Sequence, residues 1–128
     1  MALAITGLTV GGLVQGYIFC SNASAKDSLY MAANGRVMER LEEARSARWD
    51  TSIYPAVDQL VATNFPDKVI TLQATAAGVE TVSATIKTEI SDISLAPPVR
   101  RIRVDCIWLF KGVEPVTNTV ETCRAPDQ

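Results

Sequence analysis

The side chains that most often carry chemistry are few in this chain of 128 residues, and their spacing forms no recognisable site. There is no histidine, which removes the commonest general base and metal ligand. Cys20, Cys106 and Cys123 lack the C-x-x-C spacing of a zinc site. Adjacent Glu42 and Glu43 are explained more simply as a solvated helix face than as a carboxylate pair. We therefore predict that the chain is not an enzyme and holds no metal, cofactor or small-molecule substrate.

The charges also argue against a nucleic-acid partner. The formal net charge is −2, with 12 basic and 14 acidic residues. Arg100, Arg101 and Arg103 form the only dense basic cluster, which is too small to neutralise several phosphates. The simpler interpretation of this cluster is the solvated face and beginning of a strand.

One cysteine pair is a candidate disulfide, because the third cysteine lies in the apolar beginning of the chain. Any internal bridge would join Cys106 to Cys123, and an oxidising compartment would permit it. A hairpin turn centred at Lys111-Gly112 would place Cys106 opposite Thr117 and Cys123 opposite Arg100, too far apart to bond. A longer loop would bring the sulfurs nearer. The sequence leaves open whether Cys106 and Cys123 are bonded.

The chain consists of two consecutive segments that differ in composition. Residues 1–25 contain no charged side chain, and every charged residue lies between positions 26 and 128. About 100 residues suffice for one independently folding domain. We therefore divide the chain into an apolar segment, residues 1–25, and a globular domain, residues 26–128.

The apolar segment is predicted to be a transmembrane or filament-core helix, surrounded by lipid or by other copies of the same helix. As a helix, its first 20 residues would be about 30 Å long, near the thickness of the hydrocarbon core of a bilayer. Two G-x-x-x-G spacings would let neighbouring helices approach closely, with bulky aliphatic side chains between them. The residues predicted to pack in this way are Gly7, Gly11, Gly12, Gly16, Leu13 and Val14.

The pattern then becomes amphipathic without an intervening proline. Apolar residues recur at steps of three and four positions, at Leu29, Ala33, Val37, Leu41 and Ala44, opposite a charged face. The sequence therefore predicts one unbroken helix that ends near Arg48. Its domain half, residues 26–48, would lie on a small core.

The remainder of the chain is predicted to form an antiparallel sheet of about four strands. Residues 51–67 form a connector, and alternating patterns predict strands across residues 68–124, with turns at Ala76-Ala77-Gly78, Ala96-Pro97-Pro98 and Lys111-Gly112. Short links favour a meander with one face covered by the helix. The expected fold class is α+β, a long N-terminal helix packed on a small antiparallel sheet.

Several segments together resemble type IV pilins and the minor pseudopilins of type II secretion systems. Ala2–Leu8 resembles the beginning of their mature helix, and Met31–Asp50 resembles the continuation of that helix. Val104–Trp108 and Thr119–Thr122 resemble their closing strands. The resemblance implies a pilin-like fold and a structural role in a pilus or secretion filament. The implied partners are other pilin or pseudopilin subunits, bound through the N-terminal helix.

The resemblance also implies a location, and the beginning of the chain departs from the family pattern. Family members wait in the bacterial inner membrane as single-pass proteins, with the globular domain in the periplasm or on an extracellular filament. They carry a basic leader and a glutamate near the mature N-terminus, whereas Ile5 stands here at the fifth position. Alignment of the Ala-Leu-Ala-Ile run predicts that Met1 lies several residues inside a mature pilin.

Two other functions remain open from the sequence. Ala23-Ser24-Ala25 resembles a signal-peptide cleavage site, which would make the chain a secreted or periplasmic β-domain protein. Alternatively, the apolar segment anchors a single-span binding module unrelated to filaments. A native N-terminus at Lys26 would favour the first alternative, and failure to crosslink to pilin-like partners would favour the second.

Overall fold

The computed structural model describes residues 2–73 and 81–127, without the side chains of residues 2–6, 8 and 73. It contains one helix, α1 (Ala2–Ser46), and a short 3-10 turn at Ala62–Asn64. The strands are β1 (Trp49–Asp50), β2 (Val57–Asp58), β3 (Lys68–Gln73), β4 (Val82–Leu95), β5 (Pro98–Phe110) and β6 (Glu114–Arg124). The predicted turn at Ala76-Ala77-Gly78 lies outside the described residues.

The helix α1 is continuous over 45 residues, which confirms the prediction of one unbroken helix. Alanine, leucine, glutamate and arginine favour the helix in its second half, and no proline interrupts it. The Arg124 guanidinium donates hydrogen bonds to the carbonyl of Ala44 in the last turn of the helix, at 3.5 Å, and to the carbonyl of Ala47 just after it. This bond ties the end of α1 to the end of β6.

The four longer strands form an antiparallel meander in the order β3-β4-β5-β6, as the alternating patterns predict. The predicted turn at Ala96-Pro97-Pro98 is one residue shorter than expected, because β4 and β5 pair as far as Leu95 and Pro98 across the two residues Ala96 and Pro97. A second, two-stranded sheet joins β1 to β2 within the predicted connector. The chain is therefore α+β, one long helix packed on antiparallel sheets.

The core lies between α1 and one face of the four-stranded sheet. The helix contributes its predicted apolar positions, all buried, at Leu29, Ala33, Val37, Leu41 and Ala44. The sheet contributes every second residue along parts of β4 and β5, namely Ala84, Ile86, Ile102, Val104, Cys106 and Trp108, all buried. Burial of this apolar surface is the main force that holds helix and sheet together.

Two arginines, the buried Arg40 and the half-buried Arg100, fix the connector to this core. The Arg40 guanidinium donates to Thr88 Oγ1 at 3.2 Å, to Glu43 Oε2 at 2.7 Å and to the carbonyl of Pro66 at 2.9 Å. It thereby joins α1, β4 and the chain before β3. A buried charge is tolerated only when it is paired and hydrogen-bonded in this way.

Arg100 differs from the solvated residue that the sequence predicted. Its side chain is only 17% exposed, and it contacts Asp58 at 2.7 Å and Asp92 at 2.8 Å. Its guanidinium also lies 4.5 Å from the centre of the Trp49 ring, a cation–π distance. The Arg100 side chain therefore links β5 to β1, β2 and β4. By contrast, Arg101 lies on the exposed face of the sheet.

The candidate disulfide between Cys106 and Cys123 is not formed, and both thiols are free. The hairpin register places Cys106 opposite Asn118 and Cys123 opposite Arg101, one position away from the predicted pairing. Because neighbours along a strand alternate between faces, Cys106 points into the core and Cys123 points to the opposite, exposed face. The two sulfurs therefore lie on opposite sides of the sheet.

We expect two of the three thiols to react with a maleimide in the isolated folded chain. Cys20 and Cys123 are exposed, whereas burial raises the pKa of the Cys106 thiol to about 11 and keeps it protonated at neutral pH. Mass spectrometry during labelling should show two rapid additions, and a third only after unfolding. A double variant, Cys20→Ser with Cys123→Ser, should show no rapid addition. Rapid labelling of that variant would contradict the buried position of Cys106.

We expect folding stability to fall below about pH 4 in part through Asp50 and Asp127. Hydrogen bonds from Ser52 lower the pKa of Asp50, and the Trp49 backbone N–H, followed by Arg124, lowers that of Asp127. At a pH above the ordinary pKa of 3.8, a carboxylate whose pKa is lowered in the folded state stabilises the fold. This stabilisation disappears as the pH falls toward the lowered pKa. Urea midpoints at about pH 6 and about pH 3 measure the loss, which should be smaller in Asp127→Asn. Equal losses in both proteins would contradict this role for Asp127.

Candidate functional site

The first part of α1, residues 2–21, precedes the contacts of the helix with the sheet, and we call it the stem. From Thr9 to Ser21, every side chain is exposed. The large apolar residues exposed there are Val10, Leu13, Val14, Tyr17, Ile18 and Phe19, with Leu13, Tyr17 and Phe19 each at least 74% exposed. An exposed apolar surface of this extent is the usual mark of an interaction site.

The four stem glycines lie in open space. An added Cβ at Gly7, Gly11, Gly12 or Gly16 would meet no atom of the described chain within 4 Å. Glycine in an exposed helix costs about 1 kcal/mol relative to alanine, so the monomer gains nothing from these residues. Gly12 and Gly16 lie one above the other on one side of the stem, and Cys20 follows four residues later on that side.

The stem ends where the β5–β6 hairpin meets the helix. Lys26 Nζ forms an ion pair with Glu114 Oε1 at 2.6 Å, and Lys111 Nζ donates to Asn22 Oδ1 at 2.7 Å. Both ammonium groups lie within 6 Å of the centre of the Phe110 ring, which holds them over its face. We call these five residues the hairpin clasp, and everything from Asn22 onward the head.

The clasp is the part of this region that sequence reasoning missed. The residues predicted to pack between helices, Gly7, Gly11, Gly12, Gly16, Leu13 and Val14, all lie on the stem. By contrast, the contacts of Lys111 with Asn22 and of Lys26 with Glu114 join positions 89 and 88 residues apart. Only the unbroken helix and the turn at 111–113 bring them together, so no local pattern could have indicated the clasp.

The described residues offer no second site with evident chemistry. A shallow surface pocket between α1 and β3 is lined by charged residues, but its arginines are already paired, Arg36 with Glu39 at 2.9 Å and Arg40 with Glu43 at 2.7 Å. Nowhere in the described ranges do three histidine, cysteine or acidic side chains gather as metal ligands would.

Within residues 2–73 and 81–127, no helix has a stretch that is both long and apolar enough to cross a membrane.

Comparison with known proteins gave no match: no family model, no curated protein and no solved structure matches the chain.

Proposed function

We propose that the chain is a structural subunit, a minor pilin or pseudopilin, of a type IV pilus or a type II secretion filament. Its stem packs among the stems of other pilin or pseudopilin subunits, and its head faces outward. Before assembly the subunit is held at the bacterial inner membrane with its head in the periplasm. The fold of long helix and antiparallel sheet agrees with the pilin-like architecture that this role requires.

The observation that carries the proposal is the exposed stem itself. Its described side chains carry no charge, its large apolar residues are exposed, and it continues without a break into the helix of the head. Apolar surface left in water is unfavourable by about 25 cal/mol for each Å². A stem of this kind therefore gains free energy when other apolar helices cover it.

The glycines support helices rather than another kind of covering. In the described monomer, a Cβ added at any stem glycine would meet no atom within 4 Å, so glycine weakens the helix there without allowing a close tertiary contact. An intermolecular contact would give these glycines an advantage. Small residues spaced four apart let two helix backbones approach closely, and Gly12 with Gly16 provides one such notch. A covering by lipid alone needs no such notch.

The hairpin clasp favours this proposal over removal of the apolar segment as a signal peptide. The candidate cleavage site Ala23-Ser24-Ala25 lies inside α1, between two residues that the β5–β6 hairpin binds, Asn22 and Lys26. Cleavage there would cut the helix at the point where the hairpin holds it. The clasp instead fixes the direction in which the stem leaves the head.

Cys20 provides a direct test of stem packing, because it lies on the same side of the stem as Gly12 and Gly16. Membranes containing the full-length chain with Cys123→Ser would be treated with a mild thiol oxidant and run on a non-reducing gel. Cys106 is buried, so Cys20 is the only accessible thiol in this variant. We expect a Cys20–Cys20 dimer to form.

The matched control is Cys20→Ser with Cys123 retained, which should lose this product. Absence of the Cys20 dimer, together with a purified full-length chain that is monomeric in buffer without detergent, would contradict the proposed function. A native N-terminus at Lys26, found by mass spectrometry, would also contradict it and would favour a secreted domain.

A further inference from the structure

We propose that the heads of neighbouring copies join edge to edge, with β6 of one copy pairing to β3 of the next in an extended antiparallel sheet. This inference rests on the proposed function, because it takes neighbouring stems to point in the same direction. The partner surface is thus a second copy of this chain, bound through backbone hydrogen bonds between sheet edges.

Both outer strands of the sheet have an open edge. In the described chain, β6 pairs with β5 alone and β3 with β4 alone, and no backbone hydrogen bond joins either strand to anything further. Edge strands in natural proteins are usually protected by lysines, bulges or short length. The strand β6 has 11 residues, no lysine and a register without a bulge, and its one proline, Pro115, lies at its second position. It is therefore a good template for another strand. The partner strand β3 is shorter, with six residues, Lys68 at its beginning and a register shift between Thr71 and Gln73.

The directions of the two edges decide which strand fits. Each strand in the order β3-β4-β5-β6 is antiparallel to its neighbour, so β3 and β6 run in opposite directions. Two copies placed side by side in the same orientation therefore bring β6 of one against β3 of the other in antiparallel fashion. This is the pairing that the sheet already uses within each head.

The helix lies along the strands, which keeps the stems parallel in this arrangement. Near the stem, α1 contacts the beginning of β6 through Lys26 and Glu114, and its last turn contacts Arg124 at the end of β6. The helix from Asn22 to Ser46 rises by about 36 Å and β6 by about 33 Å, so the two elements run together over their lengths. A rotation about an axis along the stems then moves one head beside the next.

The symmetric alternative does not satisfy the same condition. Antiparallel pairing of β6 with β6 of a second copy requires a two-fold axis perpendicular to the strands. Because α1 follows β6, that axis would point the two stems in opposite directions. Pairing of β3 with β3 has the same consequence.

The exposed side chains at the two edges suit such a contact. On β3, Val69 is 72% exposed on the face of the sheet that α1 does not cover. On β6, Thr117 and Thr119 lie on that same face, opposite Ile107 and Asp105 of β5. Valine and threonine are favoured in strands, and cross-strand pairs of β-branched residues stabilise sheets. Pairing of the edges would cover Val69.

Disulfide crosslinking across the edges tests the inference. Val69→Cys would be combined with a single cysteine on the outer face of β6, at position 117, 119, 121 or 123, in the full-length chain with Cys20→Ser. Native Cys123 serves as one of these positions and is replaced by serine in the others. Under mild oxidation in membranes, we expect an intermolecular product and a ladder of higher multimers at one position or two adjacent positions of the set.

The control replaces Val69→Cys with Lys87→Cys. Lys87 is exposed on the same outer face but lies on β4, an inner strand with neighbours on both sides, so it should give no product. A dimer formed by a β6 cysteine without Val69→Cys would indicate the symmetric pairing and would overturn the inference.

The Cys20 experiment separates the failure of this inference from the failure of the proposed function. If Cys20 dimers form and no product between β3 and β6 appears, the stems pack but the sheets do not join, which overturns the edge pairing alone. Loss of both products would overturn the two together.

Discussion

Leucine in place of Gly16 is expected to reduce the Cys20–Cys20 dimer by about tenfold or more. Overpacking of a close contact costs about 1–3 kcal/mol, and about 1.4 kcal/mol corresponds to a factor of ten in binding. Gly16 lies four residues before Cys20 on the same side of the stem, so a larger side chain there would push apart the helices that the dimer joins. The measurement is the dimer fraction in membranes after mild oxidation.

The same substitution should leave the monomer as stable as before, or more stable. Nothing in the described chain lies within 4 Å of a Cβ added at Gly16, and leucine favours the helix by somewhat under 1 kcal/mol over glycine. The substitution therefore weakens the dimer without weakening the monomer, which distinguishes a packing site from a folding defect. Thermal unfolding followed by circular dichroism measures the stability of the monomer.

Gly35 offers a matched control in the same helix. It is also exposed and also has open space around it, but it lies in the head. Gly35→Leu should strengthen the helix by a similar amount and leave the Cys20 dimer unchanged. If Gly16→Leu and Gly35→Leu crosslink equally well, the stem glycines do not lie in a helix contact.

Alanine in place of Trp108 is expected to cost about 3–5 kcal/mol of unfolding free energy, the range for truncation of a large buried aromatic residue. The Trp108 side chain is 2% exposed and meets Tyr30 of α1 at a ring-centre distance of 6.2 Å. Because small domains are stable by about 5–15 kcal/mol, the variant would retain little stability. Urea denaturation of the full chain, followed by Trp49 fluorescence, would measure the change.

Phenylalanine at the same position should cost much less. The Trp108 Nε1–H is buried and has no hydrogen-bond partner among the described residues, so its removal relieves an unsatisfied donor while most of the ring remains. Leu109→Ala, one residue further along β5 on the exposed face, is the control and should change stability by about 0.5 kcal/mol or less. A cost below about 1 kcal/mol for Trp108→Ala would contradict its place in the core.

Most of the architecture could be predicted because it depends on local periodicity. The steps of three and four residues at Leu29, Ala33 and Val37 are required by the helix itself, and the alternation around Ile102 and Val104 is required by a strand with one buried face. The stem could be predicted for the same reason, since a run without charge needs no tertiary information to be recognised. The expected helix-packing role of its glycines stays a prediction.

Local patterns set the course of the helix and the strand residues that face the core, because both repeat at the period of one element, and an unbroken run without charge marks the stem. The partners of Arg100 and Lys26, the register that separates Cys106 from Cys123, and the opposite directions of the β3 and β6 edges arise only when the chain is folded. Each of these depends on how a turn sets the alignment of two strands or how the helix lies across the sheet. A shift of one residue in a turn moves a side chain to the other face, and no local pattern fixes that shift.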